Sequence, residues 1–304
     1  MARNTRPIDG VLLFNKPLHL SSNTALQKVR RLFQAEKAGH TGTLDPLATG
    51  LLPICFGEST KFSTGLLNAD KAYRAFVKLG QTTTTGDAEG EVVRSCEVNV
   101  DEQHVRLVID RFIGEICQIP QMYSALKHQG KPLYEYIRNG ETIERAGRNV
   151  IVHDIVLEHF TGDEMNISVR CSKGTYIRTL AEDIGNALGC GAHLRGLHRT
   201  AIGEFSIVNA LSMEQLEAMT SEERDASLLS VDCMLLDLPK IELDAVQVTR
   251  MAQGQRLGLD TSLADGKVRL YGAGKFIGVG DLLGRRLAPD RLLSSVAKSA
   301  AIRE

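Results

Sequence analysis

GHTGTLDPLATGLLPICFG, residues 39–57, is the stretch on which the interpretation of this 304-residue chain depends. It contains one carboxylate, Asp45, among small and apolar neighbours and between glycines 39, 42 and 50. Pro46 disfavours the α conformation for Asp45, so the carboxylate should lie on a stiff, extended loop. The apolar run at residues 51–56 predicts a buried strand that anchors this loop. Two interpretations follow from the residues alone: a carboxylate in a lined pocket, or an Asx-turn in which Asp45 bonds its own backbone.

The composition is that of an ordinary globular protein, with 43% hydrophobic and 24% charged residues. The length allows one large domain and a small one. No apolar run is long enough for a membrane helix, and the N-terminus lacks the apolar core of a signal peptide, so we expect a cytoplasmic protein that does not bind membranes. The six cysteines are widely spread without metal-ligand spacing, which indicates reduced, structural thiols.

Charge is segregated along the chain although the net charge is only −1. Residues 1–40 carry seven Lys or Arg against two acids, residues 245–304 carry ten against five, and residues 209–244 carry nine acids against two bases. A near-neutral protein with basic ends can present a basic face to nucleic acid, whose phosphates attract cations. The alternative is that the charges scatter over the surface after folding.

Four motifs carry a resemblance to a known family. GHTGTLDPLATGLLPICFGESTKFS (39–63) resembles the catalytic motif of the TruB family of tRNA pseudouridine synthases, and GTYIRTLAEDIG (174–185) resembles its third motif. NKPLHLSSN (15–23) is similar to the first motif, with His19 at the usual glycine, where a positive φ would strain a histidine. GAHLRGLHRTAIGEF (191–205) resembles the motif that supplies an apolar contact to the base, with His198 where arginine is more frequent.

The resemblance implies a role for each of six residues. Asp45 stands at the family's single essential aspartate, and the others would bind substrate around it: Arg178 by pairing with Asp45, Tyr73 by lying against the target base, Tyr176 by closing the pocket, Leu197 by an apolar contact to the base, and His40 by filling the vacancy that the base leaves in the RNA loop.

Without the family, several of these residues have plainer interpretations. A strand tyrosine such as Tyr73 is most often packed in the core with its hydroxyl bonded. Arg178 could form an exposed helical pair with Glu182, which contributes only a few tenths of a kcal/mol. A lone histidine such as His40 more often has a hydrogen-bonded structural role.

Periodicity and caps predict the other elements. A strand at 11–14 precedes a helix capped by Ser22 with apolar residues Leu26, Val29 and Phe33, and a helix after Gly174 is capped by Thr175. Further elements are predicted as helices at 58–68, 101–112 and within the acidic stretch 212–238, as strands at 72–79, 151–157 and 166–171, and as a hairpin turning at 272–274.

Together these features predict an α+β fold with a mixed, mainly antiparallel sheet flanked by helices and a small C-terminal β-barrel that resembles a PUA domain. The catalytic domain would span residues 1–238 and the PUA-like RNA-binding domain residues 239–304. Residues 121–149 mix basic side chains with tyrosines, which suits RNA. The resemblance identifies them with the family's flexible thumb; a plain surface loop is the alternative.

The implied reaction breaks the bond from N1 to C1′, turns the uracil and rejoins it through C5, so it requires no metal or cofactor. Glycoside hydrolysis ordinarily uses two carboxylates, whereas this pocket motif offers one. Burial would raise the pKa of Asp45, and the guanidinium of Arg178 would reverse that effect. Whether Asp45 attacks the sugar, attacks the base or abstracts a sugar proton stays open.

By resemblance the substrate is uridine 55 in the T-stem-loop of tRNA, flipped into the pocket, and not DNA. We expect a monomer without an obligate protein partner, because no long basic tail typical of assembly with a guide RNA is visible. An RNA-folding helper without catalysis and a nucleoside hydrolase are the alternatives. The Asp45 and Arg178 pair argues against the first, and the basic ends argue against the second.

Overall fold

A mixed sheet of nine strands forms the centre of the computed structural model, which describes residues 5–124 and 126–296. The side chains of Lys127, Pro132, Tyr134 and Arg138 also lie outside the description. The strands in chain order are β1 (Gly10–Lys16), β2 (Ala38–His40), β3 (Ala48–Phe56), β4 (Lys71–Leu79), β5 (Gln81–Thr83), β6 (Val92–Ser95), β7 (Gly114–Gln118), β8 (Lys127–His128), β9 (Lys131–Pro132), β10 (Arg148–Thr161), β11 (Glu164–Cys171), β12 (Ala192–Ile202), β13 (Phe205–Ser206), β14 (Lys240–Leu243), β15 (Leu257–Gly258), β16 (Gly266–Gly272), β17 (Lys275–Leu283) and β18 (Arg286–Leu292).

The helices surround this sheet and the smaller sheet that follows it. They are α1 (Ser22–Leu32), α2 (Thr64–Asn68), α3 (Glu102–Asp110), α4 (Leu133–Arg138), α5 (Ile177–Ala187), α6 (Met213–Ala218), α7 (Ser221–Ala226) and α8 (Ala245–Ala252), with 3₁₀ turns at Gly57–Lys61, Ile207–Asn209 and Val231–Leu235. Within the described ranges, no helix combines the length and apolar character needed to span a membrane.

The large sheet has the order β1-β3-β12-β4-β11-β10-β7, with β2 added to β3 and β13 to β12. Neighbours along it are antiparallel except β3 and β12, which run parallel where Ala48, Thr49 and Gly50 face Leu197, His198 and Arg199. The second sheet has the order β14-β16-β17-β18-β15. The predicted fold class is therefore confirmed.

Both faces of the large sheet are buried at its β1 and β3 end. Leu12 and Phe14 of β1 pack with the apolar side of α1, while Val11 and Leu13 face a separate core that Val279 of β17 also enters. Helices α3 and α5 cover β4, β10, β11 and β12. The shared core places the second sheet against the first through apolar contact.

The structure corrects three predicted helix features. Ser21, not Ser22, caps α1, and the hydroxyl of Thr175 bonds the Ser172 carbonyl while Tyr176 occupies the N-cap position of α5. The helix predicted at 58–68 is a 3₁₀ turn followed by the short α2. The hydroxyls of Ser59, Thr60 and Ser63 each bond the carbonyl three residues earlier, which competes with regular helix bonding.

Other predictions from the sequence are confirmed. The strands at 72–79, 151–157 and 166–171 lie within β4, β10 and β11, and residues 101–112 include α3. The hairpin at 272–274 joins β16 to β17, with positive φ at Ala273 and Gly274. His19 has a φ of 66°, so the first-motif loop does adopt the conformation that glycine would accept without strain.

Candidate active site

A cleft of about 350 Å³ opens where the loop before β3 meets β4, β12 and the start of α5. Five of the six predicted site residues line it, namely Asp45, Tyr73, Tyr176, Arg178 and Leu197. The cleft also contains Lys71, Ser124, Leu126 and Arg199 among its lining residues. Asp45 is the only acidic side chain among them, so the predicted single carboxylate of the pocket is present.

Asp45 is paired with Arg178 at the inner end of the cleft. Nη2 of Arg178 lies 3.0 Å from Oδ2 of Asp45, and the aspartate side chain remains 43% exposed on the side facing the cleft. Arg178 itself is buried. The guanidinium therefore covers one side of the carboxylate and leaves another free for a bound molecule.

The pKa of Asp45 is nevertheless raised above its usual value, chiefly by burial. Arg178 and Lys16 lower this pKa, while the nearby carboxylate of Asp87 raises it. The expectation that Arg178 would reverse the effect of burial is wrong in its net direction. The reason is that burial has the largest effect on this pKa, and the negative charge of Asp87 adds to it.

Asp87 is a buried residue that the sequence interpretation missed. Its Oδ2 lies 3.3 Å from Nη1 of Arg178, whereas Asp45 contacts Nη2, and only 2% of the residue is exposed. Its Oδ1 accepts hydrogen bonds from the Thr85 hydroxyl (2.5 Å) and the Glu89 amide (3.1 Å). Arg178 is thus bracketed by two carboxylates, one open to the cleft and one enclosed.

Two backbone carbonyls complete the contacts of Arg178. Nη1 donates to the Thr85 carbonyl at 3.1 Å, and Nη2 donates to the Tyr123 carbonyl at 2.7 Å. A planar guanidinium held by several acceptors has little freedom to rotate. Its position is therefore fixed before any substrate binds.

The loop that carries Asp45 is attached to α1 and to the first-motif loop. Ser22 accepts a hydrogen bond from the Leu44 amide (2.7 Å) and donates one to the Leu44 carbonyl (2.9 Å). The His19 amide donates to the Pro46 carbonyl at 2.9 Å. The Ser22 hydroxyl that was predicted to cap a helix instead fixes the residue before Asp45.

Arg199 is a second buried cation in the lining of the cleft, and it too was missed. It lies opposite Tyr73 across β12 and β4, and it donates to the carbonyls of Leu51 (2.8 Å) and Gly42 (3.0 Å). Burial raises the pKa of Tyr73, and Arg199 lowers it. This guanidinium therefore links the Asp45 loop, β3 and Tyr73.

Gly50 permits the close approach of β3 to β12. Its φ is +100°, and a Cβ atom would lie 2.4 Å from the Arg199 carbonyl oxygen and 2.8 Å from the Arg199 nitrogen. No side chain fits there. The parallel pairing of β3 with β12, which brings Leu197 to the cleft, therefore requires a glycine at position 50.

Two buried lysines add positive charge around the site. Burial lowers the pKa of both Lys16 and Lys71 to about 8. Lys16 donates to the Pro17 and Leu20 carbonyls at 3.0 and 2.6 Å, and Lys71 donates to carbonyls at the end of α2. Asp45 lies close enough to Lys16 to favour its protonated form.

His40 does not line the cleft. It lies on β2 opposite Ile54, and its Nδ1 is buried with no hydrogen-bond partner among the described residues. Burial and then Arg199 lower the pKa of His40. This environment therefore favours the neutral imidazole. The predicted contact of His40 with RNA stays a prediction.

The predicted thumb contains short ordered elements, β8, β9 and α4. The Tyr136 hydroxyl donates to the His128 carbonyl at 3.0 Å, with the two rings edge to face at 5.8 Å. Tyr136 thus packs and bonds within residues 121–149, which agrees with the alternative of a plain surface loop. Tyr134 and two of the predicted cations, Lys127 and Arg138, have side chains outside the described part.

Family models match almost the whole chain. Residues 30–177 match the TruB family pseudouridylate synthase N-terminal domain, residues 178–240 match the tRNA pseudouridylate synthase B C-terminal domain, and residues 239–293 match the C-terminal model of pseudouridine synthase II TruB.

Full-length relatives agree with these models. A tRNA pseudouridine synthase B of Burkholderia mallei (strain NCTC 10247) is 53% identical over 300 residues, which cover 96% of this chain and 99% of the relative. A protein of the same name from Methylobacillus flagellatus is 54% identical over 293 residues, covering 96% and 97%.

Solved structures share the fold at lower identity. A chain in a Cbf5-Nop10-Gar1 complex superposes with a TM-score of 0.70 at 24% identity, covering 93% of this chain and 84% of the other. A chain of an H/ACA RNP bound to a substrate RNA containing 2′-deoxyuridine gives 0.69 at 22% identity, with the same coverage. The family models and the relatives above half identity show that the chain belongs to the TruB family of pseudouridine synthases.

Proposed function

We propose that this pseudouridine synthase isomerises uridine 55 of the tRNA T-loop, with Asp45 as the only catalytic carboxylate and with the target nucleotide flipped into the cleft. The observation that carries the proposal is the Asp45–Arg178 pair at 3.0 Å, with the carboxylate open to the cleft. The name tRNA pseudouridine synthase B, borne by relatives that align with nearly the whole chain, supports tRNA as the substrate.

The arrangement of carboxylates favours isomerisation over hydrolysis. A hydrolase of the ordinary kind needs two carboxyl groups that both reach the scissile bond. Two other described carboxylates lie near Asp45. Asp87 is enclosed and engaged by Arg178, Thr85 and the Glu89 amide, and the exposed Glu89 side chain is not among the residues that line the cleft. Asp45 is therefore the carboxylate best placed to contact a substrate in the cleft.

The walls of the cleft suit a flat base. Tyr73, Tyr176 and Leu197 are partly buried and line it, so ring and apolar surfaces would enclose a uracil after its bond to the sugar breaks. A base that stays stacked between its neighbours in an RNA loop cannot be enclosed by these walls. The nucleotide must therefore leave the stack before it reacts.

Each residue has a role in this proposal. Asp45, whose ionised form Arg178 and Lys16 favour, acts on the sugar or the base. Tyr73 lies against the uracil near the proton that leaves C5, and Tyr176 and Leu197 restrict its movement. His40, beside the cleft and outside it, would occupy the place that the flipped base leaves in the RNA.

The test uses unmodified tRNA with the wild type and Asp45→Asn, and locates pseudouridine by chemical labelling at each position. We expect modification at nucleotide 55 by the wild type only, with tRNA affinity retained by the variant. Equal activity of the two proteins would contradict the role of Asp45. Free uracil as the main product would favour a hydrolase, and modification at another position would contradict the proposed site.

Base flipping can be measured separately with Asp45→Asn. A T-arm oligonucleotide with 2-aminopurine beside nucleotide 55 should gain fluorescence on binding, because its neighbour leaves the stack. The same label placed in the stem is the control and should not respond. Binding without any change at the loop position would contradict flipping.

We further propose that residues 1–238 form the catalytic unit and residues 239–304 a PUA-like unit that binds tRNA outside the T-arm. The separate five-stranded sheet and the family model at residues 239–293 support this division. Replacing the exposed Lys275 and Arg286 by glutamate should weaken binding of whole tRNA and leave isomerisation of an isolated T-arm unchanged. Equal loss on both substrates would contradict a separate role.

The proposed enzyme acts in the cytoplasm as a monomer, without a protein partner. Light scattering of the protein alone and with tRNA tests this proposal. A mass of one chain, and of one chain per tRNA, is expected. A stable dimer would contradict it.

A further inference from the structure

Gln118, the last residue of β7, holds the backbone of Tyr176 by two hydrogen bonds. Its Nε2 donates to the Tyr176 carbonyl at 3.2 Å, and the Tyr176 amide donates to its Oε1 at 3.0 Å. Only 1% of Gln118 is exposed. A carboxamide has both a donor and an acceptor, so it can satisfy a peptide group as a neighbouring strand would.

Tyr176 is the residue from which α5 begins. Its carbonyl also accepts the Leu180 amide at 3.0 Å, the first bond of the helix, and Arg178 is the second residue of α5. The carboxamide of Gln118 therefore sets the position of the helix end that carries the arginine paired with Asp45.

Two more contacts join the segment after Gln118 to the same helix. We call residues 118–124 the thumb base, because the predicted thumb at 121–149 begins there. Nε2 of Gln121 donates to Oε2 of Glu182 at 2.5 Å, and the Tyr123 carbonyl accepts Nη2 of Arg178 at 2.7 Å. The thumb base thus contacts α5 at three points along one short segment.

The contact at Tyr123 reaches the catalytic pair directly. The same Nη2 atom of Arg178 bonds the Tyr123 carbonyl and lies 3.0 Å from Oδ2 of Asp45. A shift of the thumb base would therefore move or free a nitrogen that Asp45 uses. Since Gln118 fixes where the thumb base leaves the sheet, it acts on Asp45 through Arg178.

We propose that Gln118 is a positioning residue for the isomerisation: it joins the thumb base to the start of α5 and thereby sets Arg178 against Asp45. This inference rests on the proposed function, because it assumes that the Arg178–Asp45 pair performs the chemistry. A thumb that engages RNA would act on the catalytic pair through the same contacts.

The first test compares Gln118→Leu with Glu115→Ala. Glu115 lies on the same strand as Gln118 and accepts a hydrogen bond from Asn149 of β10, so its variant loses a side-chain hydrogen bond of the same strand pair at an exposed place. The rate of tritium release from tRNA labelled at C5 of uridine is measured in a single turnover with saturating enzyme. The Kd for tRNA and the melting temperature are measured on the same preparations.

We expect Gln118→Leu to lower the single-turnover rate by about 10- to 100-fold, the effect of a small misplacement of catalytic groups, and to leave the Kd within about twofold. Glu115→Ala should keep the wild-type rate. A folded Gln118→Leu protein with the wild-type rate would overturn the proposal, as would a loss confined to the Kd.

Gln118→Glu provides a second test that does not require the apolar variant to fold. When the introduced carboxyl group is ionised, it can accept from the Tyr176 amide but cannot donate to the Tyr176 carbonyl. When it is protonated, it can do both. The rate relative to wild type should therefore recover as the pH falls. A ratio that is independent of pH would contradict the proposed contact.

A double variant shows whether Gln118 acts through Arg178. If it does, adding Gln118→Leu to Arg178→Lys should lower the rate little further, whereas independent effects would multiply. Multiplied losses would overturn the proposal. Asp45→Asn distinguishes failure of the proposed function from failure of this inference. Full activity of Asp45→Asn would refute the proposed function. If Asp45→Asn is inactive and a folded Gln118→Leu is fully active, only the role of Gln118 is refuted.

Discussion

Replacing Asp87 by asparagine would test whether the enclosed carboxylate supports the catalytic pair. Asparagine has nearly the same shape, and its carbonyl oxygen can still accept the Glu89 amide. The negative charge 3.3 Å from Nη1 of Arg178 is lost, while Asp45 still pairs with Nη2. The amide nitrogen of the asparagine takes the place of Oδ2, so the substitution removes one of two charges and the acceptor that faces Nη1.

The effect on stability follows from the ion-pair distance. At 3.3 Å and an effective dielectric constant of about 20, the attraction between two unit charges is about 5 kcal/mol. Removing one partner of a buried pair typically costs about 3 to 5 kcal/mol. Because Arg178 keeps Asp45 and two carbonyls, we expect about 3 kcal/mol of unfolding free energy to be lost. At about 2 °C per kcal/mol for a chain of this size, the melting temperature should fall by about 6 °C.

The effect on catalysis has two parts of opposite sign. The charge of Asp87 raises the pKa of Asp45, so its removal should lower that pKa. Activity that needs ionised Asp45 is lost as the pH falls through this pKa, so the acid limb of the rate profile should move to lower pH. The plateau should fall about tenfold, because Arg178 is held less firmly.

The assay is the single-turnover rate of isomerisation from acid to mildly alkaline pH, together with thermal melting. Asp163→Asn is the control, because Asp163 is an exposed carboxylate that pairs with Lys78, and neither residue is among those that line the cleft. Its variant should keep the acid limb of the wild type. An acid limb that moves to higher pH in Asp87→Asn, or an unchanged melting temperature, would refute the reasoning.

Three further predictions concern glycine packing, the second arginine and the buried lysines. Gly50→Ala should lower the unfolding free energy by more than about 3 kcal/mol in denaturant titrations, because backbone strain and overlap with Arg199 combine. Gly42 has a similar φ but its nearest contact would be at 3.5 Å, so Gly42→Ala should lower the unfolding free energy less. Equal losses of unfolding free energy in the two variants would contradict the packing argument. Arg199→Met should reduce the single-turnover rate about 100-fold with tRNA binding kept, because the Gly42 carbonyl loses its donor, and a wild-type rate would exclude the link. Burial lowers the pKa of Lys71 from 10.5 to about 8, so between these pH values the folded protein binds fewer protons than the unfolded chain. The unfolding free energy of the wild type relative to Lys71→Met should therefore rise with pH across that window by up to about 3 kcal/mol. A difference that does not change with pH would refute this prediction.

The sequence predicted the parts of the site that lie in compact motifs. Asp45, with small neighbours and a following apolar run, and Arg178, in the first turn of a predicted helix, were identified from local pattern and family resemblance. The structure brings both to one cleft with Tyr73 and Leu197. Alternation and helical periodicity also predicted most strands, because burial of one face depends on local spacing.

Contacts between distant segments could not be predicted in this way. Asp87 lies between Gly86 and Gly90, outside the four motifs, and its contact with Arg178 of α5 joins two segments that are far apart in sequence. Arg199 was visible within a motif, but its bonds to Gly42 and Leu51 depend on the parallel pairing of β12 with β3. The net rise in the pKa of Asp45 follows chiefly from burial, which its small and apolar neighbours indicate, and also from Asp87, whose proximity those neighbours do not show.

The place of β12 between β3 and β4 has a consequence for how the protein folds. Leu197 pairs with Ala48 of β3 on one side and Ala75 of β4 on the other. Strand β12 therefore inserts between two strands that are synthesised more than a hundred residues earlier. While the ribosome is still synthesising residues 192–202, β3 and β4 each present an open edge that could pair wrongly. Closing loops of this length is slow, so the cleft is assembled late, when the last central strand enters the sheet.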